Sequence, residues 1–455
     1  MNARNLKPMY ERPSILRHRS GLMNKMGATP GLAPQPDIDG VDVEELIQAY
    51  GSPLFVYSEQ TILDTYTELR DQLSRRYPHI QLAWSYKTCY LEAVCRLYHQ
   101  QGSWAEVVSA MEYAKARRHG VPTEKIVYNG PMKCDESLRE ALAGGSKVHI
   151  DHFDELAACE RIADEMQIRP KVALRLNINT KSQAKWDRFG FNLDTGQAWD
   201  AVRRLVAGGK LQLDGLHMHL GTFIQDTRAY NEATSKLCAF ANRLRNELGI
   251  TLSYLDLGGG FASKSRLRGQ YLPGEANTPP LSRYAEAIAD ALSTLCYPPD
   301  QLPLIILETG RALIDDAGTL ITSVKANKRL ADGRRSVVVD AGVNVLFTAY
   351  WYQHKLTPTR ETHGAPEPTM VYGPMCMNID VVGNNLQLPP LPVGSRLLVH
   401  PVGAYNVTQS MQFIQLRPAV CLVRPDGSHH LIRRAEVLLD LIGPEVVPEF
   451  LQGSS

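Results

Sequence analysis

Between residues 81 and 307 the chain repeats one arrangement: a short apolar run, a polar or glycine-rich loop, and a segment with helical periodicity. Strands that alternate with helices favour a parallel sheet, which is either closed into a (β/α)8 barrel or open and doubly wound. The runs number eight, and this favours the barrel. The predicted strands are 81–86, 104–108, 125–128, 147–150, 171–176, 213–219, 252–257 and 304–307.

The pattern changes after Arg311, where β-rich runs replace most helix-periodic segments. These runs are 319–324, 336–339, 370–372, 396–399 and 419–423. The sequence therefore predicts three parts: an N-terminal arm at 1–52, a barrel at 53–318 and a mainly antiparallel β-domain at 319–455. We expect the strand at 53–58 to be shared with the β-domain. The arm is basic and rich in glycine and proline, so we expect it to be partly flexible or packed on a partner subunit.

Composition excludes several classes of partner. The formal net charge is +1, which gives no electrostatic reason to expect nucleic acid or an anionic membrane as a partner. No apolar run approaches the roughly 18 residues that a membrane-spanning helix needs. The cysteines form no CxxC pair and suit a reducing compartment. These features predict a cytoplasmic protein.

A single lysine, Lys87, ends the first predicted strand in the stretch Ser85-Tyr86-Lys87-Thr88. Most lysines are exposed, so this stretch alone favours an ordinary surface lysine. In a buried site, however, desolvation lowers the pKa of a lysine and makes its amine able to form a Schiff base. The other strand ends decide between these interpretations.

Three further predicted strands end in motifs that could carry chemistry: HMHLGT at 217–222, DLGGGF at 256–261 and ETGR at 308–311. In a (β/α)8 barrel, the carboxyl ends of all strands meet on one rim. Each motif alone is a weak indication, because glycines often mark turns and a glutamate often pairs with an arginine. Their joint placement with Lys87 is a stronger one.

The motifs together match the needs of one cofactor. Glycines at 258–260 let backbone N–H groups approach a phosphate, and Thr222 and Arg311 could bind the same anion. His219 offers a flat ring for stacking, and Glu308 a carboxylate that could keep a ring nitrogen protonated. With an imine-forming lysine, these groups describe a pyridoxal 5′-phosphate (PLP) site.

With these motifs the sequence resembles the PLP enzymes of fold type III, the alanine racemase-like fold. It is most similar to the group that contains diaminopimelate decarboxylase and eukaryotic ornithine decarboxylase. The motifs lie in order between about residues 53 and 415: SYKT, HMHLGT, LDLGGGF, ETGR, YGPMCMNID and VGAY. The resemblance implies a barrel with a β-domain, a decarboxylase activity, and a homodimer with active sites at the subunit interface.

The resemblance also implies residue roles. Lys87 would bind the cofactor covalently, His219 would stack on the pyridine ring, and Glu308 would bind the ring nitrogen. The phosphate would be held by Thr222, Gly258, Gly259, Gly260, Gly310, Arg311 and Tyr405. Cys376 would be a catalytic residue that reaches in from the second subunit, and either it or Lys87 would return a proton to the product.

The acid at position 308 indicates the type of reaction. An opposite charge beside the pyridine nitrogen shifts its pKa by roughly 1–3 units toward the protonated form. A protonated ring is a strong electron sink, which suits loss of carbon dioxide. Alanine racemases of the same fold place an arginine there, so Glu308 favours decarboxylation over racemisation.

Two departures from the resemblance concern the substrate. The residue after Cys376 is Met377, where diaminopimelate decarboxylases have a glutamate for the distal amine and ornithine decarboxylases an aspartate. Thr348 stands where the diaminopimelate enzymes have an arginine for the distal carboxylate, although their tyrosine four residues on is kept as Tyr352. A buried ammonium without a partner costs several kcal/mol. Candidate substrate-binding residues are Arg311, Thr348, Tyr352, Met377 and Asp380.

We therefore expect a larger substrate without a free distal amine. Enzymes of siderophore or antibiotic biosynthesis act on such molecules, for example citryl-diaminopropionate or a group bound to a carrier protein. The alternative is diaminopimelate decarboxylation in lysine biosynthesis.

Two hypotheses from other classes have weaker support. His217 and His219 lie on one face of a predicted strand, a spacing that zinc hydrolases on this barrel use. The neighbouring strand ends, however, offer Lys87 and Arg311 rather than further metal ligands. A protein that carries the cofactor without turnover is the other hypothesis, but such relatives consist of a barrel alone.

Overall fold

The structure is a computed structural model, and it describes residues 33–184 and 186–451. The strands, numbered along the chain, are β1 (Asp37–Ile38), β2 (Val41–Asp42), β3 (Leu54–Ser58), β4 (Ile80–Ser85), β5 (Trp104–Val107), β6 (Ile126–Tyr128), β7 (Lys147–Ile150), β8 (Lys171–Asn177), β9 (Phe191–Asn192), β10 (Gln212–Met218), β11 (Tyr254–Asp256), β12 (Leu304–Leu307), β13 (Gly318–Arg329), β14 (Arg335–Val339), β15 (Lys355–Pro358), β16 (Glu367–Tyr372), β17 (Val381–Leu388), β18 (Arg396–His400), β19 (Ala419–Val423) and β20 (His429–Arg433).

The α-helices are α1 (Val43–Tyr50), α2 (Glu59–Ser74), α3 (Glu92–Gln100), α4 (Ala110–Arg118), α5 (Asp135–Ala143), α6 (Phe153–Met166), α7 (Gln197–Gly208), α8 (Arg228–Leu248), α9 (Gly274–Asn277), α10 (Leu281–Leu292), α11 (Arg311–Ile314) and α12 (Leu438–Ile442). Short 3-10 turns lie at Tyr86–Thr88, Thr123–Lys125, Pro299–Gln301, Asp315–Ala317, Phe347–Tyr350 and Glu449–Leu451.

The chain divides into two compact units. The first, called the barrel unit below, comprises 61–265 and 270–315. The second, called the β unit, comprises the described residues of 33–60, together with 266–269 and 316–451.

The barrel unit is a closed ring of parallel strands. The order β10-β11-β12-β4-β5-β6-β7-β8 returns to its start because β10 also pairs with β8. Leu216 of β10, for example, lies opposite both Leu174 of β8 and Leu255 of β11. The strands are buried at most positions because helices and the barrel interior cover both faces. This confirms the predicted (β/α)8 barrel and excludes the open sheet.

Side chains fill the barrel interior. Ala83, Val127, Ala173, Tyr254 and Ile306, each from a different strand, form one buried cluster. A filled barrel has no pore, so ligands can be bound only at its ends.

The β unit is built around a mainly antiparallel sheet, as predicted, in which β17-β16-β14-β13-β3-β19-β20 are neighbours and β18 joins β13 to β15. Parallel pairing is found between β3 and β19 and between β14 and β16. The sequence patterns missed β15, β17 and β20. Polar residues such as Asn384 and Asn385 in β17 hide the alternation that marks a half-buried strand.

Part of the predicted N-terminal arm is folded. Within 33–52 the chain forms β1, β2 and α1, and the side chains of Val43 and Leu46 are buried in the core of the β unit. Asp42 caps α1 because its carboxylate accepts the backbone N–H of Glu44 at 2.7 Å. The prediction for residues 1–32 falls outside the described residues.

None of the helices within 33–184 and 186–451 is both long enough and apolar enough to cross a membrane.

Candidate active site

Lys87 lies at the carboxyl end of β4, in a 3-10 turn that follows the strand directly. Its Nζ is 2.8 Å from both carboxylate oxygens of Glu106 on β5. The Glu106 side chain is fully buried, whereas 34% of the Lys87 side chain is accessible. An ordinary surface lysine would not meet a buried carboxylate in this way, so the amine belongs to a polar site in the barrel mouth.

Glu308 follows β12 on the same rim and is 3% exposed. Its Oε1 accepts a hydrogen bond from Nδ2 of Asn129, and its Oε2 is 3.5 Å from Nε2 of His217 on β10. Burial opposes ionisation of Glu308, but His217 and Lys87 outweigh it and hold the pKa of the carboxyl well below its usual range. Glu308 is therefore an anion at neutral pH.

A second buried carboxyl, Asp256 at the end of β11, behaves in the opposite way. Burial, and then the neighbouring charge of Glu308, raise the pKa of Asp256 well above its usual value. Two buried carboxyls this close do not ionise together. The proton stays on Asp256, because Glu308 has the stronger cationic and donor neighbours.

His219 is held by the loop that follows β11. Its Nδ1 accepts the backbone N–H of Gly259 at 3.2 Å, and the ring of Trp186 meets it edge-on with centroids 5.6 Å apart. Burial, followed by the charges of Lys87 and Arg175, lowers the pKa of His219 to about 3. The ring is therefore neutral, as a group that stacks on a flat partner should be.

The predicted glycines occupy places where loops touch closely. A Cβ on Gly259 would overlap the carbonyl of Glu308, and one on Gly310 would overlap the hydroxyl of Thr88. Gly258 and Gly260 also have φ values of +68° and +100°, which a side chain disfavours. The loops after β10, β11 and β12 can approach one another only because these positions lack side chains.

The remaining predicted residues of this unit lie on the same rim. Arg311 is the first residue of α11 and is 9% exposed. Its Nη1 is 3.6 Å from the carboxylate of Asp315. Its guanidinium also lies over the Phe223 ring, 5.8 Å from the centroid. Thr222 is exposed in the loop after β10. A phosphate at this rim could contact both residues.

Four polar residues of this site were not found from the sequence: Glu106, Asn129, His149 and Arg175. Each is at or just after the end of one of the four strands β5 to β8. The available indication was a polar or charged residue inside an otherwise apolar run, as in the segment WAEV of β5 or VALRLN of β8. Sequence reasoning considered only the ends of the first, sixth, seventh and eighth strands.

The barrel mouth contains a cavity of about 250 Å³. This is near the lower end of the roughly 300–1,000 Å³ of small-molecule sites. Lys87, His219 and Glu308 line it, as do the aromatic rings of Trp186 and Phe189.

Several buried polar atoms at the barrel mouth have no hydrogen-bond partner within residues 33–184 and 186–451: Oγ of Ser85, Oγ1 of Thr88 and Oγ1 of Thr309. Buried hydroxyls without partners are uncommon unless a ligand completes them. An amine, an anion and a neutral ring around one cavity, with these hydroxyls at the ends of neighbouring strands, fit PLP.

In the β unit the structure shows how three predicted substrate-binding residues are held. Asp380 is buried, and its carboxylate accepts the backbone N–H groups of Val343 at 2.8 Å and Met375 at 2.7 Å. The hydroxyl of Thr348, also buried, contacts Oδ1 of Asn406 at 2.8 Å. Tyr352 is buried and pairs through its backbone with Leu267. A role in binding substrate stays a prediction for all three.

The other predicted residues of the β unit lie in loops. Cys376 is exposed and Met377 is partly exposed, in the turn that Asp380 closes through its N–H to the carbonyl of Met377 at 3.0 Å. Tyr405 is partly exposed and has a φ of +67°. An unusual backbone angle of this kind persists only where its surroundings impose it.

The two histidines considered as zinc ligands do not act as a pair. Among the residues that the structure describes, His149, His217 and Glu308 have possible ligand atoms within 4.8 Å of one another. His149, however, contacts Asn129 and the hydroxyl of Tyr254 through its two nitrogens. His219 uses Nδ1 to accept a backbone N–H.

An amine beside a buried carboxylate, in a cavity with an anion and a neutral ring, defines a Schiff-base site on a (β/α)8 barrel. The chain belongs to the pyridoxal-dependent decarboxylases, since the pyridoxal-binding domain of that family matches residues 62–315. It is a PLP-dependent carboxy-lyase of fold type III, in the group that contains diaminopimelate and ornithine decarboxylases.

Known proteins similar to this chain agree with this assignment. The chain is 29% identical over 431 residues to the diaminopimelate decarboxylase of Methanocaldococcus jannaschii. The aligned region covers 91% of this chain and 95% of that relative. This chain is 31% identical over 420 residues to the diaminopimelate decarboxylase of Actinosynnema pretiosum subsp. auranticum, with coverage of 90% and 92%. The crystal structure of the M. jannaschii enzyme in complex with L-lysine superimposes with a TM-score of 0.83, at 28% identity over 93% of this chain and 99% of that chain.

These relatives correct the expected function. The expectation of a siderophore or antibiotic pathway substrate is wrong, because the curated relatives that match the chain almost end to end are named diaminopimelate decarboxylases. Met377 and Thr348 are two positions only, whereas the similarity to these relatives extends over about nine tenths of the chain. The hypotheses of a zinc hydrolase and of a protein without turnover are excluded by membership of the decarboxylase family.

Proposed function

We propose that this protein decarboxylates diaminopimelate and releases lysine. The observation that carries the proposal is the match of more than nine tenths of both chains, in sequence and in fold, to a diaminopimelate decarboxylase solved with L-lysine. Loss of one terminal carboxylate from diaminopimelate leaves lysine, so a lysine complex in that relative is consistent with bound product.

PLP would be held by the residues of the barrel mouth. Lys87 would bind it covalently, His219 would stack on its ring and Glu308 would face its nitrogen. The phosphate would lie against Gly258, Gly259, Gly260, Gly310, Thr222, Arg311 and Tyr405. When bound, PLP accepts the electron pair left behind as the carboxylate departs as carbon dioxide.

The protein's own residues would control charge and protons around that step. Glu308, as a buried anion, stabilises positive charge on the cofactor nitrogen. Glu106 holds the amine of Lys87 at 2.8 Å and so fixes where it can deliver a proton. The proton that replaces carbon dioxide on the α-carbon would come from Lys87 or from Cys376.

The proposal is tested with purified protein saturated with PLP. We expect carbon dioxide from diaminopimelate, with an equal amount of lysine, and at least tenfold lower kcat/KM with ornithine or lysine as substrate. The control is Lys87→Ala, which should release none above background. Cofactor-loaded wild-type protein that forms no lysine from diaminopimelate would contradict the proposal.

We further propose that the enzyme is a homodimer in which Cys376 completes the site of the partner subunit. The support is the resemblance of the motif that contains Cys376 to the decarboxylase group. Mixing inactive Lys87→Ala and Cys376→Ala proteins under conditions of subunit exchange should regenerate up to about a quarter of wild-type activity, because only mixed dimers hold one intact site. No recovery, with mixed dimers shown by mass spectrometry, would exclude a shared site.

A further inference from the structure

A continuous chain of side-chain hydrogen bonds runs through the barrel interior to the acids of the site. The hydroxyl of Tyr254 is 3.2 Å from Nε2 of His149, and Nδ1 of the same ring is 2.6 Å from Oδ1 of Asn129. Nδ2 of Asn129 then donates to both acids, to Oε1 of Glu308 and at 3.3 Å to Oε1 of Glu106. All five side chains are buried.

The two acids determine which way the amide of Asn129 points. An amide nitrogen carries two donors, and a carboxylate can only accept. If the amide were flipped, its oxygen would face two carboxylate oxygens at hydrogen-bond distance, which is repulsive. Nδ2 must therefore face Glu106 and Glu308, and Oδ1 must face His149.

The amide in turn determines the tautomer of His149. Oδ1 of Asn129 can only accept, so Nδ1 of His149 carries a proton and donates it. Burial, and then the neighbouring ring of His217, lower the pKa of His149 well below its usual value, so the ring is neutral and Nε2 carries no proton. The hydroxyl of Tyr254 then donates to Nε2. Each group thus donates to the next, and the chain ends on the carboxylates.

We infer that Asn129 and His149 are positioning residues that hold Glu106 and Glu308 in place toward Lys87 and the cofactor nitrogen. The inference rests on the cofactor-binding part of the proposed function and is independent of the substrate. The amide donates to both acids, so it connects the residue that pairs with Lys87 to the residue that would face the pyridine.

Burial of Glu106 and Glu308 explains why the two acids need positioning residues such as Asn129 and His149. Two carboxylates close together in a dry site repel each other, and one of them normally takes up a proton. Lys87 offsets part of this repulsion, because it pairs with Glu106 and its charge also acts on Glu308. A chain of neutral donors stabilises both anions without adding charge, and successive bonds strengthen one another.

Other groups around His149 complete its surroundings. The ring of His217 stacks on it with centroids 4.6 Å apart and an angle of 25° between the planes. Oδ2 of Asp256 is 4.0 Å from Nε2, on the same side as Tyr254. Stacking restricts the plane of the imidazole, and in this plane Nδ1 faces Asn129 and Nε2 faces Tyr254.

The first experiment measures the tautomer directly in cofactor-free protein. Imidazole ¹⁵N shifts of protein labelled on histidine should show His149 with a protonated Nδ1 and a bare Nε2 at pH 7. Its signals can be identified among the 13 histidines by their absence from His149→Asn. A ring that is charged, or protonated on Nε2, would overturn the inference.

The second experiment measures the Kd of PLP for cofactor-free protein by fluorescence quenching. Asn129→Leu should weaken binding on the order of 10- to 100-fold, because charge-assisted hydrogen bonds to both acids are lost. His149→Leu should weaken it by about tenfold. His149→Asn keeps a donor near the position of Nδ1, so its Kd should stay within about threefold of wild type. The exposed His79→Leu serves as the matched control.

These outcomes separate positioning from packing. If His149 only filled space, Leu would be tolerated at least as well as the polar and smaller Asn, so equal or reversed effects of the two variants would contradict the inference. Failure of the protein to release lysine from diaminopimelate would refute the proposed substrate, yet it would leave the tautomer and the PLP affinities as predicted.

Discussion

Two buried carboxylates in the two units show how differently the fold can use the same group. Glu308 in the barrel unit is 3% exposed and Asp380 in the β unit is 2% exposed. Glu308 faces the side chains of Asn129 and His217. Asp380 faces backbone N–H groups, those of Val343 and Met375.

The pKa values of Glu308 and Asp380 are shifted in opposite directions. The pKa of Glu308 lies well below its usual range because cationic and donor side chains outweigh burial. Burial raises the pKa of Asp380, and its two backbone donors offset that only in part. A carboxylate tied to backbone groups joins two loop segments, whereas one surrounded by side chains beside a cavity can act on a ligand. Burial alone therefore does not identify a functional acid; the nature of its partners does.

The largest effect should come from Glu308→Gln. The amide cannot stabilise positive charge on the cofactor nitrogen, so we expect kcat to fall by roughly 10²- to 10³-fold, while the melting temperature changes little. Steady-state decarboxylation and thermal unfolding measure the two quantities. Glu286→Gln, at a partly exposed position on α10, is the control. A large loss of stability in Glu308→Gln, with kcat retained, would contradict the functional role that distinguishes Glu308 from Asp380.

A smaller effect, and of another kind, is expected from Asp380→Asn. One side-chain oxygen becomes an amide that faces a backbone N–H, so the free energy of unfolding should fall by about 1–3 kcal/mol. Denaturant unfolding of cofactor-free protein measures this change. The exposed Asp332→Asn should change the same quantity by less than about 0.5 kcal/mol. Unchanged stability in Asp380→Asn would show that this acid does not join the two loops.

The smallest effect concerns pH and His219. Its pKa is about 3 in the folded protein, against roughly 6.5 when unfolded. Between these values only the unfolded chain binds the proton, so stability present above pH 6.5 is lost as the pH falls toward 3. Between pH 6.5 and 5.0, the free energy of unfolding of cofactor-free wild type should fall by up to about 2 kcal/mol more than that of His219→Gln. Equal slopes in denaturant unfolding would show that the ring is not kept neutral.

The sequence predicted the fold well because periodicity is a local property. Each barrel strand is short, apolar and followed by a loop, and all of the predicted strands were found. In the main sheet of the β unit β15, β17 and β20 were missed. These strands tolerate polar residues because one face of an antiparallel sheet can be exposed to solvent. The strand His429–Arg433 is an example.

The candidate site was only partly predictable. Lys87, His219 and Glu308 stand in motifs whose glycines and charges are visible along the chain. Asn129 directly follows one short apolar run and His149 lies within the next, and nothing local shows that their side chains face each other. Their partnership depends on the closure of the barrel, which brings β6, β7 and β12 to one rim.

The amino-acid sequence by itself determined the alternation of strands and helices, the lysine at a strand end and the glycines that let loops meet. It did so because backbone preference and burial pattern act over a few residues. Only the tertiary structure decided which acids stay ionised, since that depends on neighbours from distant segments in a dry interior. It alone shows that Glu106 and Glu308 share the amide of Asn129, because closing the ring of strands brings these residues together.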